Sequence, residues 1–121
     1  MVEAIKTGKP IVGVEPGREA LSIFGMTPIM RDGKTLANTD VGVAFGKEFV
    51  DRAKQRFGID IAVHSYDGKE FKKLSSTFGD AVAATPEELK RVFEGGPLNR
   101  DATIGGHGAA LYVGQVKNYA G

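Results

Sequence analysis

Two histidines, no cysteine and a scatter of carboxylates and hydroxyls are the side chains able to do chemistry in this chain. His64 falls in an alternating apolar run beside Tyr66, where it reads either as a pocket donor or as a structural histidine. His107 sits in Gly105-Gly106-His107-Gly108, which reads as an exposed four-residue turn. Neither histidine has a carboxylate at metal-ligand spacing, so no zinc or non-haem iron site is expected. The glycine stretch precedes a strand and lacks the helix N-terminus on which phosphate cradling depends. No serine is framed as Gly-x-Ser-x-Gly, and no nucleophile–base order stands out, which argues against a hydrolase. Helix capping accounts for the carboxylate pair Glu87-Glu88. Lys69, Lys72 and Lys73 read as a solvated hairpin edge, because lysine there opposes sheet-to-sheet pairing.

What remains is a polar and aromatic set: His64, Tyr66, Ser75, Thr77, Arg100 and Tyr112. Period-two alternation lets His64 and Tyr66 share one strand face, and Ser75 and Thr77 share a face of the partner strand. Aromatic rings mixed with a few hydrogen-bonding groups line small-molecule pockets. A half-exposed polar sheet face would show the same spacing.

The elements that must position these residues are legible from punctuation and period. Residues 1–7 read as the last turn of a helix. Residues 10–15 form a β-branched run ended by Pro16-Gly17, and residues 20–30 form a strand in which Pro28 implies an edge or a bulge. Asp32-Gly33 turns the chain into a strand over 35–45. Phe49, Val50, Ala53 and Phe57 make one apolar stripe of a helix over 47–57, which Gly58 ends. Residues 59–66 and 70–78 alternate around the turn Asp67-Gly68. Thr85 as N-cap, Pro86 at the first helical position and Glu88 completing a capping box open a second full helix. Leu89, Val92 and Phe93 are its buried stripe. Residues 98–104 and 109–116 make a last hairpin, and Asn118-Tyr119-Ala120-Gly121 reads as a further turn. Strands joined by short turns pair antiparallel, so the class is α+β, with one twisted antiparallel sheet flanked by helices.

Composition narrows the function. A length of 121 residues suits a single domain, residues 1–121. Lys+Arg 16 against Asp+Glu 15 leaves a net charge of +1, without the basic excess of a nucleic-acid binder. The absence of cysteine excludes a disulfide scaffold, a Cys-ligated metal and a thiol nucleophile. No cofactor is expected. No window approaches the ~18 consecutive apolar residues of a membrane span.

Lys6-Thr7-Gly8-Lys9-Pro10-Ile11-Val12-Gly13-Val14-Glu15-Pro16-Gly17, Gly25-Met26-Thr27-Pro28-Ile29 and Asp40-Val41-Gly42-Val43-Ala44-Phe45-Gly46 follow one another here. Residues 59–63, Asp67-Gly68, Ser76-Thr77 and residues 116–121 come after them. This order of motifs resembles the extracytoplasmic Cache sensor domains of bacterial methyl-accepting chemotaxis proteins, of the double-Cache type. The resemblance covers nearly the whole chain and rests on the succession of motifs. It implies a PAS-like fold, a cavity for a small carboxylate, amino acid or similar metabolite, and signalling into the membrane. Similar chains often carry an arginine where this one has Phe24, which is among the expected ligand contacts. If that arginine clamps a carboxylate, the clamp is lost here, and the resemblance then implies a less acidic ligand or an empty site.

The reading is therefore a non-enzymatic, periplasmic sensing domain, expected to be a fragment of a larger inner-membrane receptor. Its expected partners are a small organic ligand and a second copy in a homodimer. It would meet the membrane only through segments outside this chain, and it would not bind nucleic acid. The ligand would contact His64, Tyr66, Ser75, Thr77, Tyr112 and Phe24, with Arg100 available as a cation. A PAS-like protein-interaction module and a small α+β enzyme are the alternatives.

Overall fold

The computed structural model describes residues 2–16 and 20–119. Gly17 of the expected Pro16-Gly17 turn, and Ala120-Gly121 of the expected last turn, lie outside the described residues. In chain order the elements are α1 (Val2–Thr7), β1 (Ile11–Pro16), β2 (Leu21–Arg31), β3 (Lys34–Ala44), α2 (Lys47–Phe57), β4 (Ala62–Tyr66), β5 (Phe71–Ser76), α3 (Pro86–Glu94), β6 (Leu98–Ile104) and β7 (His107–Val113). Every ladder is antiparallel, and the class is α+β as the turn pattern requires. The strands do not join in one sheet, however. Among the described residues they form three ladders, β1-β2-β3, β4-β5 and β6-β7. A tight turn fixes the pairing of its own two strands, whereas pairing between hairpins depends on tertiary contacts that no turn encodes.

The chain divides into two compact units, Met1–Phe45 with Lys117–Gly121, and Gly46–Val116. In the first, Asp32 and Gly33 take φ of 51° and 75°, the left-handed pair that a two-residue hairpin demands. Pro28 lies in the central strand β2, yet β1 pairs only as far as Met26. Pro28 faces Asn38 on β3 alone, and the register shifts between Ile29 and Met30. The missing N–H therefore falls where the strand is locally an edge, next to a bulge. Ala4 of α1 packs on Phe24 and Met26 to make this unit's core, with Ile11 against it.

In the second unit, Gly46 and Gly58 bound α2, and Gly58 at φ 68° returns its N–H to the Lys54 carbonyl. Val50 is fully buried on the expected stripe. Phe57 is not part of it: its ring is 65% exposed, with the Arg56 guanidinium 5.5 Å from the ring centroid. The helix packs against β5. Helix α3 opens with the expected capping box, Thr85 Oγ1 accepting from Glu88 N at 3.2 Å and Glu88 Oε2 accepting from Thr85 N at 3.0 Å. The last hairpin turns on two residues only, Gly105 and Gly106 at φ 59° and 81°, so His107 begins β7 and is not part of a four-residue loop.

Candidate functional site

The β4-β5 hairpin carries four of the candidate residues, and its register decides which of them share a side. Val63 pairs with Ser75 and His64 with Lys73, so Leu74 is an extra residue at a bulge. Partners directly opposite point to the same face. His64 and Tyr66 therefore share one face with Lys73 and Phe71, as alternation predicts. Ser75 stands with Val63 on the other face, and it is buried. Alternation places Thr77 with Ser75, opposite Ile61. The hairpin thus divides the four residues into two pairs on opposite faces.

On the first face the rings make a cluster. Tyr66 stacks on Phe71 with centroids 4.6 Å apart, and Phe93 of α3 lies 4.7 Å from Tyr66 and 6.2 Å from Phe71. Helix α3 is held to the hairpin through these rings, while Tyr66 keeps 38% of its surface exposed. His64 is half-buried beside them. Burial, and then the charge of Lys73 across the strand, push its imidazole below the ordinary histidine value, so it is neutral at pH 7. Lys73 itself reaches the Gly79 carbonyl at 3.4 Å. This side offers an aromatic wall, a neutral imidazole and an ammonium group.

On the other side the Thr77 hydroxyl holds the chain together. Thr77 Oγ1 donates to Asp60 at 2.7 Å and accepts from Ile61 N at 2.9 Å. Asp60 is also paired with Lys54 at 2.7 Å, and the Lys54 and Thr77 hydrogen bonds hold its carboxyl below the usual range. Thr77 thus closes the open end of the β4-β5 ladder.

Arg100 is placed on β6, where its expected role as an available cation does not fit its contacts. Its Nε and Nη2 grip Glu88 Oε1 and Oε2 at 2.6 and 2.9 Å, a two-point fork. The same Nη2 donates to the Ala83 carbonyl at 3.3 Å, and Nη1 to the Asp101 carbonyl at 3.3 Å. The Arg100 fork first, and the Thr85 N–H second, hold the Glu88 carboxyl down at about 2. Glu88 therefore caps α3 and ties it to β6 with one carboxylate. Sequence alone exposes the capping half of that role and gives no sign of the Arg100 half.

Tyr112 pairs with Asn99 and is 65% exposed on the outward side of the β6-β7 hairpin, opposite the side of Arg100 and buried Leu111. An open depression of about 630 Å³ lies along this hairpin, lined by Asp101, Ala102, Thr103, Gly108, Ala109 and Ala110, and no candidate residue lines it. Phe24 belongs to the first unit, 4% exposed in its core. The residues missed by sequence reasoning are Phe71, Lys73, Phe93 and Glu88. The apolar stripe of α3 signals Phe93, but nothing signals that it meets Tyr66. Among the described residues no cluster of three His, Asp or Glu side chains could hold a metal ion.

A family model, dCache_3, described as a double sensory domain of two-component sensor kinase, matches residues 1–121. Comparison with curated proteins gives no match, and comparison with solved structures gives none.

Proposed function

This chain belongs to the dCache_3 family of double Cache sensory domains, and from that premise we propose that it senses a small organic metabolite outside the cytoplasm for a membrane-bound signal transducer. The observation that carries the reading is the extent of the match, which runs across both compact units. The α+β elements and antiparallel hairpins agree with the PAS-like Cache fold. Cache domains are signal-sensing modules and form the extracellular parts of membrane sensors. No described helix is long and apolar enough to cross a membrane. We take residues 1–121 as one sensory domain, in the periplasm, of a receptor whose output is a two-component kinase, as in chemotaxis receptors.

The ligand side is proposed to be the His64 and Tyr66 face of β4-β5. Lys73 supplies a cation for a carboxylate such as that of an organic acid or amino acid, His64 a neutral hydrogen-bonding group, and Tyr66 an apolar wall. Arg100, Thr77 and Phe24 are engaged in the fold, which favours this face over the wider set. A thermal-shift screen of small organic acids and amino acids on this chain tests the proposal. A ligand at ~100 times its Kd stabilises by about 2.7 kcal/mol. His64→Ala and Lys73→Met are expected to lose that shift while leaving the unliganded melting temperature close to wild type. A ligand that shifts both variants as it shifts the wild type places the site elsewhere, with Tyr112→Ala as the next variant to measure.

Self-association is part of the same reading. Among the described residues β7 bonds only to β6, and an unpaired strand edge recruits partners. Tyr112 and Val116 are exposed beside it. Sedimentation at micromolar concentration is expected to show a dimer; a monomer of 12.9 kDa rejects this part.

A further inference from the structure

Tyr119 lies outside every ladder, yet it touches three elements of the first unit. Its N–H donates to the Val14 carbonyl of β1 at 2.7 Å. Its ring meets Phe24 of β2 edge-on, with centroids 5.7 Å apart. Its hydroxyl donates to Glu3 Oε2 of α1 at 2.7 Å, and that bond pushes the phenol above its ordinary value. The ring lies over Gly13, where a Cβ would stand 3.0 Å from Tyr119 Cβ and Cδ2 and 3.3 Å from Phe24 Cε1. Gly13 is not at positive φ, so the glycine is needed for space and not for backbone freedom. The seat is a notch cut to fit one ring.

We propose that Tyr119 is a releasable latch, holding the segment that follows β7 against α1 and β1 through the Gly13 notch and the Glu3 carboxylate. Three observations make it releasable. Among the described residues the attachment has one main-chain hydrogen bond and no ladder, and Lys117 and Asn118 are exposed. Tyr119 is itself 40% exposed, so its bond to Glu3 competes with water. The β1-β2 and β2-β3 registers are made by strand residues alone, so the backbone pairing of the three strands is complete without Tyr119. Segments held by few buried contacts open locally, well below the free energy of global unfolding. When the latch opens, α1 loses its side-chain tie to the segment that follows β7 while the ladder persists. This inference goes beyond the sensory reading and does not rest on it.

Hydrogen exchange on the chain, read by peptide mass spectrometry, tests the latch. Tyr119→Phe removes only the bond to a carboxylate and is expected to raise exchange in the α1 peptide about tenfold. Tyr119→Ala and Gly13→Val are expected to raise it further and to release the peptide that follows β7, with β2-β3 and β6-β7 peptides unchanged. Valine is well tolerated in a strand, so Gly13→Val acts by filling the notch. Unchanged exchange in α1 on Tyr119→Ala overturns the proposal. So does a rise across β2-β3 on Tyr119→Ala, because the tyrosine would then be a core residue of the ladder. If Gly13→Val alone loosens the ladder, the Tyr119→Ala result decides.

Discussion

Replacing Thr85 by alanine isolates one hydrogen bond of α3. Thr85 Oγ1 is the acceptor for Glu88 N, and the reciprocal bond from Thr85 N to Glu88 Oε2 survives the change. Thr85 is exposed, so the freed amide is hydrated and does not become a buried orphan. The Arg100 fork still anchors Glu88. The cost therefore falls mid-range for a lost N-cap, about 1 kcal/mol. For a chain of this length that lowers the melting temperature by roughly 4 °C. In urea the midpoint drops by roughly 0.5 M, with the slope unchanged because the native surface is the same. Thr85→Ser keeps the acceptor and is expected to stay within a few tenths of a kcal/mol, roughly the spread of neutral surface changes. An unchanged midpoint for alanine, or a serine variant as weak as alanine, would refute the assigned cap.

Glu88→Gln keeps an acceptor for Thr85 N but removes the charge that Arg100 grips. The folded carboxyl at about 2 lies below its unfolded value of 4.5, so its contribution is complete above that unfolded value and is lost as pH falls toward 2. Melting temperatures from pH 7 to 2 are expected to fall less steeply for the glutamine variant than for wild type over the acid limb; parallel curves contradict the pairing. His64 is likewise depressed, so the neutral form is favoured in the folded chain, and stability is expected to decline as pH falls through and below the unfolded value of 6.5. His64→Gln should flatten that segment of the curve, and an NMR titration that finds a raised imidazole value would reverse the sign.

Local chemistry made the helices and turns legible. The α2 stripe is bounded by Gly46 and Gly58, the α3 start is coded by Thr85, Pro86 and Glu88, and Asp32-Gly33 supplies a turn that few other pairs could. Strand lengths and register were less legible. Residues 59–61 alternate as a strand should, yet Ile61 N bonds to a side chain, Thr77 Oγ1, and the regular ladder begins only at Ala62. The bulge at Leu74 has no turn residue to mark it, and it decides which face Ser75 takes. The three ladders in place of one sheet have the same origin, because a period-two pattern describes one strand at a time and is silent on which hairpin lies beside which.

The candidate site shows the same limit at the level of single groups. Composition and alternation identify polar side chains with the capacity to bind, and every such capacity can also be met from within the fold. Arg100 has four hydrogen bonds to protein oxygens, and Thr77 bridges a carboxylate and a backbone amide. Neither could bind a ligand without breaking a bond that holds a ladder or a helix in place. Lys73 is different: its one long hydrogen bond to a carbonyl leaves its charge without a carboxylate within ion-pair distance among the described residues, directly across from a half-buried imidazole. The Lys73 charge disfavours the protonated imidazole, and an anion seated between the two would offset that effect. On the proposed reading, a cation with no carboxylate partner among the described residues, beside the exposed Tyr66 ring, distinguishes the His64 face from the Arg100 and Thr77 sites.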